Sequence, residues 1–121
     1  MLIHDAARPF VTEEIIKSNI VAAEKWGACE TAVAVNDTVI CGDNGFMGKI
    51  VPRDGLFRVQ TPQSFKLGTI LAAHEIAENL PENERDGITD DASVAALAGF
   101  EIKIVAGNNK NIKITTPDDL R

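Results

Sequence analysis

The stretch Ala28 to Val35 places the tightest limit on the fold, because it is rich in small and β-branched residues and carries apolar side chains on both alternating faces. A strand of that kind is stable only when covered on both sides, so the chain must build a layered α/β structure. The preceding segment supplies one helix. Thr12-Glu13-Glu14 offers an N-cap and an acidic first turn, Ile15, Ile16, Ile20, Ala23 and Trp26 recur at helical spacing, and Gly27 is placed for a C-cap. Before it, Met1-Leu2-Ile3 reads as the end of a buried strand, followed by His4-Asp5-Ala6-Ala7-Arg8-Pro9-Phe10. Asp5 then falls at a strand's carboxyl end, the edge at which open α/β sheets bind ligands. Asn36-Asp37-Thr38 repeats the pattern after the second strand, which leads us to expect Asp5 and Asp37 side by side along one sheet edge. Both acids have an equally simple reading as turn residues that bond their own backbone.

Val39 to Cys41 and Phe46 to Val51 flank Gly42-Asp43-Asn44-Gly45, which predicts a β-hairpin about an Asn-Gly turn. Such a hairpin is too small to be stable alone, so it is expected to lie on a partner, most simply a second copy of the chain. Leu56 to Gln60 returns as a strand, and Thr61-Pro62-Gln63-Ser64-Phe65 reads as punctuation. An amphipathic helix is predicted over Leu67 to Leu80, stopped by Pro81, with His74 on its surface. After a polar loop, Thr89 or Asp90 caps a small-residue helix over Ala92 to Ala98, closed by Gly99. Phe100, Ile102 and Ile104 alternate with polar residues as in an edge strand, and Ile112 and Ile114 alternate likewise around Lys113. Thr116-Pro117-Asp118-Asp119 is a helix-start signal. Both ends therefore read as cuts through elements that a larger α/β protein would continue.

Composition excludes several partners. With 12 Lys plus Arg against 18 Asp plus Glu, the formal charge is -6, which argues against general affinity for nucleic acid or anionic lipid. Any anionic ligand must be held by a few local cations. No window has the apolar length of a membrane span and no leader is visible, so a cytoplasmic location is expected. Cys29 and Cys41 lack metal spacing and are expected to be reduced.

The ordered set His4-Asp5-Ala6-Ala7-Arg8-Pro9, Asp37-Thr38, Pro52-Arg53-Asp54-Gly55-Leu56, Thr61-Pro62-Gln63, Thr89-Asp90-Asp91-Ala92-Ser93 and Asn111-Ile112-Lys113 resembles 2-C-methyl-D-erythritol 4-phosphate cytidylyltransferase along essentially the whole chain. Ribitol-5-phosphate cytidylyltransferase is a close relative that shares some of these motifs. The resemblance implies part of a Rossmann-like nucleotidyltransferase sheet with a β-hairpin dimerisation arm at about residues 39–60. It implies transfer of a cytidylyl group from CTP to a polyol phosphate with release of pyrophosphate, and use of Mg²⁺. By motif, Lys113 and Arg53 would hold the acceptor's phosphate, Thr61 and Thr89 would add hydroxyl donors, and Asp37 would accept from acceptor hydroxyls. Asp5 would lie at the nucleotide or metal, and Arg8 would either bind the nucleotide or brace the Asp5 loop. The homodimer's arm would carry Arg53 and Thr61 to the neighbouring subunit's site. The family's Gly-rich loop and triphosphate-gripping cations have no counterpart in these residues, so the chain is expected to be a carboxyl-side portion whose catalytic residues lie in an amino-terminal half. A non-catalytic dimerisation or sugar-phosphate-binding module is the alternative from another class.

Overall fold

A computed structural model describes residues 1–121. Two sheets form. The larger has the order β1-β5-β2-β6, from β1 (Leu2–Ile3), β5 (Phe57–Phe65), β2 (Ala28–Ala34) and β6 (Lys103–Ala106). β2 and β6 run parallel, and β5 runs antiparallel to both β1 and β2. The carboxyl ends of β1, β2 and β6 consequently point to one edge.

Period-two alternation in β2 sorts its residues between two layers. Cys29 packs with Ala22, Ala23 and Val105 beneath α1 (Glu13–Trp26), whereas Ala28 joins Phe65, Ile70, Ala73, Ala77, Ala92, Val94 and Ala95 beneath α2 (Leu67–Glu78) and α3 (Asp91–Leu97). This is the two-sided covering that the apolar pattern requires. α1 starts where its cap predicts, with Thr12 Oγ1 accepting from the Ile15 amide, and ends at Gly27 with φ 89°.

The α1 layer contains a buried polar network. Asn19 Nδ2 donates to the Ile15 carbonyl at 3.0 Å and to Thr31 Oγ1 at 2.9 Å, while Ser64 Oγ donates to Asn19 Oδ1 at 2.9 Å. Thr31 in turn donates to the Pro62 carbonyl at 2.7 Å. Full pairing keeps these groups tolerable in a low-dielectric layer and ties α1, β2 and β5 together. Burial pushes the neighbouring Cys29 thiol up, so it acts as a packed group and not as a nucleophile.

β3 (Val39–Asp43) and β4 (Phe46–Val51) form the separate two-stranded sheet. Its turn has positive φ at both Asn44 (49°) and Gly45 (85°), the conformation the Asn-Gly pair favours. Phe46, Met47 and Ile50 stand exposed on it.

Three sequence expectations need correction. β5 does not stop at Gln60 but continues through Thr61-Pro62 to Phe65. Between the pairs Glu30↔Gln63 and Ala32↔Val59, three β5 residues oppose Thr31 alone, and this bulge spares Pro62 the ladder hydrogen bond it cannot donate. β6 begins only at Lys103, and its inward residue is Val105, while Phe100 and Ile102 pack on the α2/α3 cluster before the strand starts. Residues 112–114 form no strand; the Ile114 amide bonds the Ala7 carbonyl at 2.8 Å instead. Helices α2 and α3 and the edge position of β6 agree with the sequence reading, and the Thr116 signal opens a short 3₁₀ turn over Pro117–Leu120. No helix is long and apolar enough to cross a membrane.

Candidate functional site

The candidate site lies along the edge where β1, β2 and β6 end, and β5 holds together the loops that leave it. The loop after β1 folds back in a turn, with the Arg8 amide on the Asp5 carbonyl at 3.1 Å. His4 sits against this turn. Its Nε2 donates to the Arg8 carbonyl at 2.9 Å, and Nδ1 is hydrogen-bonded to the Thr61 hydroxyl at 2.9 Å. The same Thr61 oxygen accepts the Asp5 amide at 3.0 Å.

Arg8 is mostly buried and reaches two partners, the Asn111 carbonyl at 2.7 Å and Asp5 Oδ2 at 3.4 Å. The guanidinium thus spans the Asp5 loop and the segment after β6, with one contact to Asp5 and not the bidentate bond considered from sequence. That segment is seated by Gln60. Gln60 Nε2 donates to the Asn108 carbonyl at 2.9 Å, and Oε1 accepts from Asn111 Nδ2 at 3.2 Å. Asn111 Nδ2 also donates to the Thr61 carbonyl at 2.9 Å. Gly107 permits this closeness, because a Cβ there would stand 2.4 Å from Gln60 Oε1. Lys113, two residues beyond Asn111, is exposed with its backbone held beside the loop.

At the far end of β2, Asp37 is exposed, and Arg53 donates from the Pro52–Gly55 turn to the Asn36 carbonyl. Asp5 and Asp37 share the edge but are not adjacent. Ile3 and Glu30 both face Gln63 across β5, and β2 continues four residues beyond Glu30 to Ala34, about 13 Å at the usual strand rise. The intervening β5, invisible to a reading that ended it at Gln60, accounts for the difference.

Thr89 is exposed ahead of α3, with its hydroxyl 3.2 Å from that of Ser93. Asp90 caps α3, accepting from the Ser93 amide at 2.8 Å and the Ser93 hydroxyl at 2.6 Å, and Gln63 Nε2 ties it to β5 at 2.7 Å. Desolvation alone raises its carboxyl, but the bonds from Ser93 and Gln63 outweigh that and hold it below its ordinary value. Asp90→Ala is expected to cost about 1 to 2 kcal/mol at neutral pH. In thermal melts the difference from the parent should fade as pH drops below 3.8, where the carboxylate's contribution is lost.

Nearby, burial holds the Glu30 carboxyl above its ordinary value, and the charge of Asp90 adds to this. A raised carboxyl favours the fold while protonated and opposes it once ionised, so its favourable contribution is lost as pH rises above about 4.5. Glu30→Gln should therefore raise the melting temperature at pH 7, with the gain vanishing towards pH 4.

The site thus contains three groupings: Asp5, Arg8 and Thr61 with Lys113 alongside; Asp37 with Arg53; and Thr89 at the cap of α3. Sequence reasoning missed that His4, Gln60 and Asn111 hold the first grouping together and that Gln63 ties Asp90 to β5. No three His, Cys, Asp or Glu side chains cluster as a metal cage. Asp5 offers one partly exposed carboxylate, which suits Mg²⁺ bound largely through water and nucleotide phosphates.

Comparison with known proteins places this arrangement in context. The family profile described as IspD, 2-C-methyl-D-erythritol 4-phosphate cytidylyltransferase, matches residues 1–121. The enzyme of that name from Thermosipho africanus is 42% identical over 120 residues, covering 99% of this chain and 51% of the relative. That from Clostridium acetobutylicum is 45% identical over 123 residues, with 99% and 51% covered. The crystal structure from Thermus thermophilus superposes with a TM-score of 0.85 at 34% identity, over 98% of this chain and 57% of that one. The Francisella tularensis structure gives 0.86 at 33% identity, over 98% and 55%. The chain spans about half the length of the curated relatives it matches. With every motif in order, the profile matched from end to end and the fold shared with solved structures, the chain belongs to the 2-C-methyl-D-erythritol 4-phosphate cytidylyltransferase family.

Proposed function

We propose that this chain forms the acceptor side of a cytidylyltransferase that moves CMP from CTP to 2-C-methyl-D-erythritol 4-phosphate and releases pyrophosphate, a step of isoprenoid precursor synthesis. The observation that carries this reading is the gathering of Asp5, Arg8, Thr61 and Lys113 where the Asp5 loop meets the 111–114 segment, in a chain of this family. Both reactants are anionic at the reacting phosphates, so the residues must position them and offset charge. Lys113 and Arg53 bind the acceptor's phosphate, Thr89 adds a hydroxyl donor, and Asp37 accepts from acceptor hydroxyls. Thr61 contributes to the wall formed with the Asp5 loop, and Asp5 faces the nucleotide. Asp5 would hold Mg²⁺, which would supply neutralisation of phosphate charge. The residues that grip the triphosphate belong to the half of the relatives' length outside this chain.

The exposed Phe46, Met47 and Ile50 of the β3/β4 hairpin support a homodimer built through this arm, with Arg53 at its base serving the partner's site. Incubating the chain with CTP, Mg²⁺ and 2-C-methyl-D-erythritol 4-phosphate and measuring pyrophosphate tests the activity. Acceptor binding by this chain, and pyrophosphate release once the half that grips the triphosphate is supplied, are the expected results, and faster release with ribitol 5-phosphate would reassign the acceptor. The half-length coverage favours one other reading, a non-catalytic sugar-phosphate-binding module. Acceptor binding with no pyrophosphate release even when the other half is supplied would establish that reading instead.

A further inference from the structure

We propose that His4 is a positioning residue that fixes the Asp5 loop through the hydroxyl of Thr61, which acts as a strut between them. This rests on the reading of the Asp5 loop as the nucleotide side of the site. Three bonds carry the inference: His4 Nε2 to the Arg8 carbonyl at 2.9 Å, Thr61 Oγ1 to His4 Nδ1 at 2.9 Å, and the Asp5 amide to Thr61 Oγ1 at 3.0 Å. They form one directed chain in which the imidazole bridges the two ends of a four-residue turn.

Each group in the chain has a fixed number of hydrogens. Thr61 has one hydroxyl hydrogen, and it is committed to His4; one lone pair is committed to the Asp5 amide. Loss of the Thr61 hydroxyl would leave His4 Nδ1 unpaired in a partly buried place. The ring cannot be replaced by packing alone. An apolar side chain at position 4 leaves the Arg8 carbonyl, the Thr61 hydrogen and the orientation of the Asp5 peptide unsupported.

The test uses Thr61→Val, which keeps the shape and removes the hydroxyl, His4→Phe, which keeps a ring and removes both nitrogens, their double variant, and Thr61→Ser. Amide hydrogen exchange of Asp5 is read against amides of β2, which report global opening. Thr61→Val and His4→Phe should each speed Asp5 exchange about tenfold with β2 unchanged, and the double variant should be no faster than Thr61→Val. Thr61→Ser should restore protection. Parental Asp5 exchange in His4→Phe overturns the proposal, as do single effects that multiply in the double variant. Titrating a full-length relative with CTP and Mg²⁺, with and without alanine at its aspartate matching Asp5, tests the functional reading separately. Unchanged CTP affinity there would sink the nucleotide assignment of the loop, while the exchange data alone decide whether His4 acts through Thr61.

Discussion

Phe65→Ala is expected to lower the stability of the chain by about 3 to 5 kcal/mol, read as a fall in the urea midpoint at constant slope. Phe65 closes β5, is only 1% exposed, and fills the layer between the sheet and α2/α3. Truncation would leave a void lined by Ala28, Ile70 and Ala73, residues too short or too fixed to fill it. A loss of this size is a large fraction of the total stability of a domain this small, so a substantial unfolded population at 37 °C is expected. Phe46→Ala supplies the contrast. That side chain is 79% exposed on the hairpin, and in the isolated chain its loss should stay within about 0.5 kcal/mol. Equal losses at the two positions would refute this account of the core.

Lys113→Ala should weaken binding of 2-C-methyl-D-erythritol 4-phosphate by about 2 to 4 kcal/mol, roughly thirty- to thousandfold in Kd. The reason lies in how the residue is presented. Asn111 is held by Gln60, Thr61 and Arg8, and Ile114 bonds the Ala7 carbonyl, so the backbone around Lys113 is fixed while its ammonium remains exposed. A phosphate meeting it forms a charge-assisted bond without ordering the loop first. Calorimetry decides the matter, and unchanged affinity would remove Lys113 from the acceptor site. Lys113→Arg should retain part of the binding, since it keeps the charge but alters its reach.

Elements whose signals are local were legible in the amino-acid sequence. The Asn44-Gly45 turn requires two positive φ angles that this pair adopts readily, and the Thr12 cap acts three residues away. The apolar pattern of β2 likewise reports its two-sided burial directly. What escaped depends on distant partners. Gln60 bonds Asn108 and Asn111, separated from it by 48 and 51 residues, and nothing near Gln60 announces either. Pro62 read as a strand breaker because the bulge that accommodates it is created with β2, thirty residues earlier. The alternation about Lys113 suggested a strand where the spacing reflects packing along the 4–10 loop. For the site, motif order identified the residue types, whereas their grouping needed the placement of β5 between β1 and β2.

The surplus residues in β5 also determine where this family can change length. Val59 and Gln63 are locked to Ala32 and Glu30, so the three residues between them are a measured span, in which Gln60 serves the 108–111 loop and Thr61 the Asp5 loop, with Gln63 beyond them tied to Asp90. Deleting any one would turn the following residues to the opposite face, exchanging Gln63 for a neighbour that cannot reach Asp90, and would shorten the reach of Thr61 to His4. Insertions at Asn44-Gly45, by contrast, lengthen only the tip of an exposed hairpin. Among natural relatives and engineered variants alike, gaps should therefore accumulate at the hairpin tip and be purged between residues 59 and 63, making the bulge a ruler against which the whole edge is cut.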